Sequence, residues 1–300
     1  MGTWLGHAAP GSFFIAFSLW WTLRILSNYF KQPRKYVNST NQFCCCKKSC
    51  WGRQPLDNWI LMFIAALGVF MEIATSMVDE GVVVMGNRQH LTMYISFGLF
   101  GMISILVHHK VAFVPKGAEY MALLVALIVE LVLFAFHLHG REVVDVHIHM
   151  LLVYTIGGCI VTTAIEFLYP QSINAGLARQ YMILVQGTWF YQIAFTLYPP
   201  EGMSKWQVDD PENIMLVTLI YSWHLIGCLM VFLVLSGLTY LCCSFKQGDT
   251  KSREYTTKLL STDGDNQTKA DSPALMNGYA SVGSEDETEL FSVPQKSSHA

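Results

Sequence analysis

Charge is what this chain has least of. Only 14% of its 300 residues are Asp, Glu, Lys or Arg, against about 25% in soluble globular domains. That shortfall excludes both an ordinary water-soluble enzyme and a wholly disordered chain. Neither sign dominates: the formal net charge is −3, and nothing resembles a nucleic-acid surface. Also missing are a GxSxG elbow, a Walker loop, an HExxH helix, and a GxGxxG in the right context. No repeat of 20–50 residues and no inverted repeat of transporter type is evident.

What fills the chain is apolar. Hydrophobic residues make up 52% of it, in continuous runs that do not alternate, so helices are expected rather than barrel strands. A bilayer core about 30 Å thick needs about 20 apolar helical residues. Seven segments meet that length: 10–29, 58–78, 89–107, 117–138, 146–168, 180–198 and 213–241. The expected fold is an all-α bundle of seven transmembrane helices over residues 1–243. A disordered tail over 244–300 follows, rich in Ser, Thr, Asp, Glu and Gly.

Positive charge is retained on the cytosolic side. Lys31, Arg34, Lys35, Lys47, Lys48, Arg53, Lys110, Lys116, Arg179, Lys246, Lys251, Arg253 and Lys258 fall on one side; Arg88, Arg141 and Lys205 fall on the other. Thirteen against three places the amino terminus in the lumen and the tail in the cytosol. The first span then serves as a signal-anchor, and no cleaved leader is needed. The sequons Asn38-Ser39-Thr40 and Asn266-Gln267-Thr268 face the cytosol and are expected to stay unmodified. Met1-Gly2 lacks the Ser or Thr at position 6 that myristoylation favours.

Of the eight cysteines, Cys44, Cys45, Cys46 and Cys50 lie in a basic cytosolic loop, and Cys242 and Cys243 end the last span. A reducing compartment disfavours disulfides; these six are candidates for lipidation. Cys44-Cys45-Cys46-x-x-x-Cys50 lacks the paired spacing of a zinc site.

The densest chemistry lies at the turn between spans four and five. His137, His139, Arg141, Glu142, Asp145, His147 and His149 fall within thirteen residues. His7 and His90 are expected on the same side. Together His7, His90, His137, His139, His147 and His149 are candidate ligands for a zinc-like divalent metal, with carboxylates to orient them. The alternative is an unliganded set of capping or hydrogen-bonding imidazoles, and then no cofactor is expected. Imidazoles also titrate across the range of acidifying compartments. Asp145 and His149 are i,i+4 and share a face if that turn is helical.

Counting about 1.5 Å per residue from the lumenal ends puts Glu72 about 6 Å deep, Glu130 about 12 Å and His224 about 16 Å. Gln192 and Gln186 lie about 9 and 18 Å deep. Ionisable groups in hydrocarbon usually face the bundle interior, so a polar pocket of Glu72, Glu130, Gln186, Gln192 and His224 is expected to open to the lumen. The alternative is polar glue between helices. Glu166 and Arg24 lie near cytosolic ends, where they can snorkel, and receive no role.

Several motifs together carry a family resemblance. They are Gly6-His7-Ala8-x-Pro10-Gly11-Ser12-Phe13-Phe14, His90-x-Thr92-Met93-Tyr94, His137-x-His139-Gly140-Arg141 with Asp145-x-x-x-His149, Leu184-x-Gln186-Gly187-Thr188-Trp189-Phe190-x-Gln192, Pro199-Pro200 and Trp223-His224. Over about residues 1–243 the chain resembles the transmembrane protein 45 family, a seven-span group of unknown function. The resemblance implies a multipass protein of Golgi, endosomal or lysosomal membranes without established catalysis, and a looser link to innate defence. The chain departs from the family in a short 79–89 connection and a Cys- and Lys-rich 36–57 loop.

The leading expectation is therefore a non-enzymatic endomembrane protein acting through partners. It would sit in the lipid bilayer and recruit cytosolic adaptors through the 246–300 tail, where Leu259-Leu260 and Tyr279-Ala280-Ser281-Val282 have sorting-signal form. The alternatives are a lumenal metal-dependent hydrolase acting on a lipid, with Glu130 or Asp145 as catalytic base or orienter, and a proton- or ion-coupled transporter lined by Glu72, Glu130 and His224.

Overall fold

The computed structural model describes residues 3–40, 55–136, 138, 140–202, 206–207 and 210–264. Among them the regular structure is helical: α1 (Trp4–Lys31), a 3-10 turn (Pro33–Lys35), α2 (Leu56–Glu80), α3 (Met85–His108), α4 (Ala118–Phe136), α5 (Val143–Leu168), α6 (Ile173–Leu197) and α7 (Pro211–Gly264). The chain divides into two units, Met1–Gly248 and Asp249–Ala300. The helical bundle belongs to the first.

Two helices begin earlier than their apolar runs. The Thr3 hydroxyl accepts from Gly6 N–H at 3.0 Å, so α1 starts at Trp4 and Pro10 lies inside it. A proline in the second turn forfeits one backbone bond. Ser172 caps α6 by accepting from Ala175 N–H, which sets its start well before Gln180. At the other extreme, α7 continues helical to Gly264, past the expected span end at 241 and tail start at 244. No proline interrupts 245–264, and Lys, Arg, Glu and Leu there favour helix.

Six helices, with α7 taken to Phe245, are long and apolar enough to cross a membrane. The less apolar α6 is not among them, and its position explains its composition. It packs between α1 and α5. Arg179, Gln180, Gln186 and Trp189 on it are all buried. A helix surrounded by other helices does not need a lipid-compatible surface. By contrast, α2 and α7 turn Phe63, Phe70, Trp223 and Leu233 outward.

Neighbours along the chain pack together from α2 to α6, and α1 closes against α6. That last contact is backbone-close. A Cβ on Gly11 would meet the Gly187 carbonyl at 2.9 Å, and one on Gly187 would meet the Ile15 nitrogen at 2.8 Å. Small residues permit such approaches, which dispersion rewards in the absence of a hydrophobic drive. The α7 helix docks through side chains: Tyr221 hydroxyl to Thr155 hydroxyl at 2.7 Å, and the Tyr221 ring edge-on to Trp189.

We call the end where α1 begins the near end, and the end where it finishes the far end. Glu166 and Arg179 mark the far end, and neither snorkels. Glu166 (0% exposed) and Arg179 (1%) form an ion pair between α5 and α6. Tyr120 of α4 donates to the same carboxylate at 3.0 Å, and the guanidinium lies over the Trp21 ring of α1. Trp21 in turn donates to Asp57 of α2 at 3.1 Å. The role-free, lipid-edge placement expected for Glu166 is thus corrected. Its charge faces α6, because an opposite charge waits there. Beside it, Asn38 is buried; it takes the Tyr36 hydroxyl and donates to the Ser172 carbonyl. Burial and the Glu166 carboxylate push the Tyr36 phenol up.

Candidate functional site

At the near end the chain brings together groups from three places. His7 sits in the first turn of α1, His149 in the second turn of α5, and Tyr198 just after α6. Their rings form a row: His7 to His149 at 5.9 Å edge-on, and His7 stacked on Tyr198 at 5.3 Å. His149 is 1% exposed and His7 9%.

The hydrogen bonds fix the imidazoles. His7 Nδ1 lies 2.9 Å from the Thr3 carbonyl. His149 Nδ1 lies 2.7 Å from Asp145 Oδ1 and 2.9 Å from the Asp145 carbonyl. Carbonyl and carboxylate oxygens only accept, so Nδ1 carries the hydrogen in both rings. In the uncharged rings Nε2 then holds a lone pair, ready to take a proton or a ligand. Asp145 is shared: Arg141 Nη1 reaches both its oxygens at 2.9 and 3.0 Å. Because α5 begins at Val143, Asp145 and His149 are already on one helical face.

The other candidates go elsewhere. His147 is turned away from this row, with Nε2 2.8 Å from the Thr218 hydroxyl of α7. It borders a cleft of about 290 Å³ with Val143, Val146, Met150, Leu151 and Tyr154. His90 pairs with Glu72 at 3.2 Å, and Asn87 donates to the same carboxylate at 2.7 Å, making a separate α2–α3 site. His137 and His139 lie outside the described residues, as do Cys44, Cys45, Cys46 and Cys50. Cys242 is exposed, Cys243 buried. Among the described residues, no three His, Cys, Asp or Glu side chains are disposed to hold a metal. His7 and His149 could offer two ligands, short of the three or four a zinc ion takes from protein.

The five polar residues of the expected pocket are likewise distributed. Glu130 and Gln186 meet in the middle of the bundle, with Gln186 Nε2 donating to Glu130 Oε1 at 2.8 Å. Gln192 donates along its own helix to Thr196. Glu72 stays with Asn87 and His90. His224 packs edge-on against Trp189 at 5.3 Å. Counting residues gives depth but not azimuth, so side chains at similar depth point to different neighbours. Glu130 and Asp145 therefore belong to separate places, one enclosed and one at the near end.

Sequence reasoning passed over Tyr198, Phe134 and Cys159, and gave Glu166 and Arg179 no partnership. The last pair had a signal: two opposite charges thirteen residues apart, each beside or inside an apolar run. The aromatic and thiol partners had none, since their types are ordinary for apolar helices.

Residues 116–237 match a family of unknown function, DUF716. That segment runs from the start of α4 into α7 and includes Glu130, Asp145, His149 and Gln186. The chain is also similar to transmembrane epididymal protein 1 of Rattus norvegicus, 24% identical over 262 residues, covering 80% of this chain and 81% of the relative. Transmembrane epididymal protein 1A of Mus musculus is 25% identical over 259 residues, with 80% and 81% covered. Transmembrane epididymal protein 1 of Homo sapiens is 30% identical over 136 residues, 45% of this chain and 50% of the relative. Membrane-protein relatives and the apolar helices agree on an integral, multi-pass membrane protein.

Proposed function

We propose that this chain is a seven-span member of that family of unknown function, related to the transmembrane protein 45 group, and that it reports lumenal acidity to cytosolic partners. In this reading α6 is the seventh crossing. The near end faces the lumen of Golgi, endosomal or lysosomal membranes, and the tail recruits adaptors in the cytosol. A role in defence would act through the same partners. The bias of Lys and Arg toward the opposite side supports the orientation.

One observation carries the sensing role: two buried imidazoles from different helices, 5.9 Å apart, with a single carboxylate between His149 and Arg141. The charged and titratable groups around His7 are His149 and Asp145 on α5, Arg141 before it, His90 on α3 and Tyr198 after α6. At neutral pH the Arg141–Asp145 pair balances. His149 lies against Asp145. His7 has no carboxylate of its own, and burial pushes its imidazole down to about 4. Protonating it places a charge in a buried site that lacks a counter-charge, which loosens the start of α1.

Hydrogen exchange on the full-length protein in nanodiscs tests this. After correction for intrinsic rates, residues 4–14 are expected to lose protection as the pH falls from about 6 to about 4, because burial pushes the His7 imidazole down to about 4. His7→Gln should hold them protected at both. Unchanged protection of α1 across that range defeats the proposal.

A further inference from the structure

Among the described residues, Glu130 is a deeply enclosed acid whose hydrogen-bond partner is an uncharged amide. It is 2% exposed. Gln186 donates to Oε1 at 2.8 Å, and the Gln186 carbonyl accepts from the Cys159 thiol at 3.3 Å. Oε2 is buried and has no hydrogen-bond partner. The ion pairs of the surrounding helices lie toward the two ends, and Glu119 lies in the first turn of α4. Asp145 and His149 pair near the start of α5, and Glu166 pairs with Arg179 at the far end. Tyr120, also on α4, is taken up by Glu166, and His90 on α3 pairs with Glu72.

We propose that Glu130 is an intramembrane proton-binding site, enclosed on both sides by apolar side chains, through which the bundle exchanges protons between its two faces. An ionised carboxylate held by one amide would carry a large desolvation penalty. The uncharged acid avoids that penalty. Its proton belongs on Oε2, the oxygen that no donor approaches. Gln186 then serves the carbonyl-like Oε1, and Cys159 orients Gln186.

Two apolar layers separate this acid from the polar ends. Toward the near end, Phe134 stands about one helical turn away on α4. Its ring stacks with His149 at 6.4 Å and meets Phe190 edge-on at 5.8 Å. Phe190 stacks in turn on Phe14 of α1. Toward the far end, Leu123 and Leu127 of α4 cluster with Trp21, Phe100, Cys159 and Ile183. Beyond the first layer lie the imidazoles and Asp145; beyond the second lies the Glu166–Arg179 pair. This is the layout of an occluded carrier site: one ionisable group between two gates, with proton acceptors outside each. Ionisable groups placed in hydrocarbon commonly mark such paths.

The exchange balances simply. When one layer opens, the Oε2–H bond breaks toward that face and its electron pair stays on the carboxylate. A proton arriving through the other layer restores the bond. This goes beyond acid sensing by His7 and His149 and does not rest on it.

Full-length protein in liposomes loaded with a pH-sensitive dye, driven by a valinomycin-clamped potassium gradient, provides the test. Wild-type vesicles are expected to acidify faster than protein-free ones. Glu130→Gln, uncharged and nearly isosteric, should return the rate to the protein-free value, and Phe134→Ala should raise it. Phe63→Leu, on the outward face of α2, should leave it intact. Infrared spectroscopy of the wild type should show a protonated-carboxyl band at neutral pH that shifts in heavy water, whatever the folding of the variants. No flux above protein-free vesicles, undiminished flux in Glu130→Gln, or no protonated-carboxyl band would each overturn the proposal.

Discussion

Asn38 shows how burial can decide the fate of a single residue. Its carboxamide donates to the Ser172 carbonyl at 2.7 Å and takes the Tyr36 hydroxyl, and its backbone N–H donates to Pro170 at 2.7 Å. A glycan on that nitrogen would have no room: a Cβ on Gly176 would already touch the amide. Mass spectrometry of the protein from secretory-competent cells should therefore find Asn38 unmodified. Asn38→Ala leaves a buried carbonyl and a buried phenol short of partners, a loss of about 1–3 kcal/mol read as a lower unfolding midpoint in detergent. The sequon was visible as a pattern in the sequence. That it is closed off by the loop following α5 was not, because the contact joins residues 134 positions apart.

Between helices, the ion pair of α5 and α6 and the glycine contact of α1 and α6 make separable predictions. Arg179→Met alone strands the Glu166 carboxylate, and should destabilise by about 3–5 kcal/mol. Adding Glu166→Leu should recover much of that loss, since an apolar pair of similar volume replaces the ions. A thermal-melt double-mutant cycle measures both. Gly187→Ala drives a methyl onto the backbone of α1, where nothing flexible can yield, and should cost about 1–3 kcal/mol as overpacking does. Helix existence was legible from run length. Gly98, Gly101 and Gly158 lie against Ala65, Met62 and Met182. The starts of α1 and α6 were not legible, because Thr3 and Ser172 cap helices through polar turns that precede the apolar run.

For the whole molecule, α6 decides on which side of the membrane each end lies. If α6 crosses as the seventh helix, an epitope before Trp4 and one after Gly264 lie on opposite sides. In cells whose plasma membrane alone is permeabilised, the second alone should be accessible from the cytosol. The same arrangement puts His7, His149 and Asp145 in the acidifying compartment, where sensing requires them. Both tags on the cytosolic side would remove α6 as a crossing and take that compartment from the histidines.

The sequence by itself determined that this is an all-helical membrane protein, because a continuous apolar run long enough for the bilayer leaves the backbone no alternative to helix. It also placed a histidine-rich turn beside the start of the chain at one end of the bundle. Only the tertiary structure decided which polar side chains meet. His7 joins His149 and not His147, and Glu166 joins Arg179 while Glu130 takes Gln186. The physical reason is rotation: each helix residue turns about 100° from the last, so a partner is chosen by how the helices are turned against one another. That choice is made by packing over the whole bundle, down to glycines that let two backbones touch.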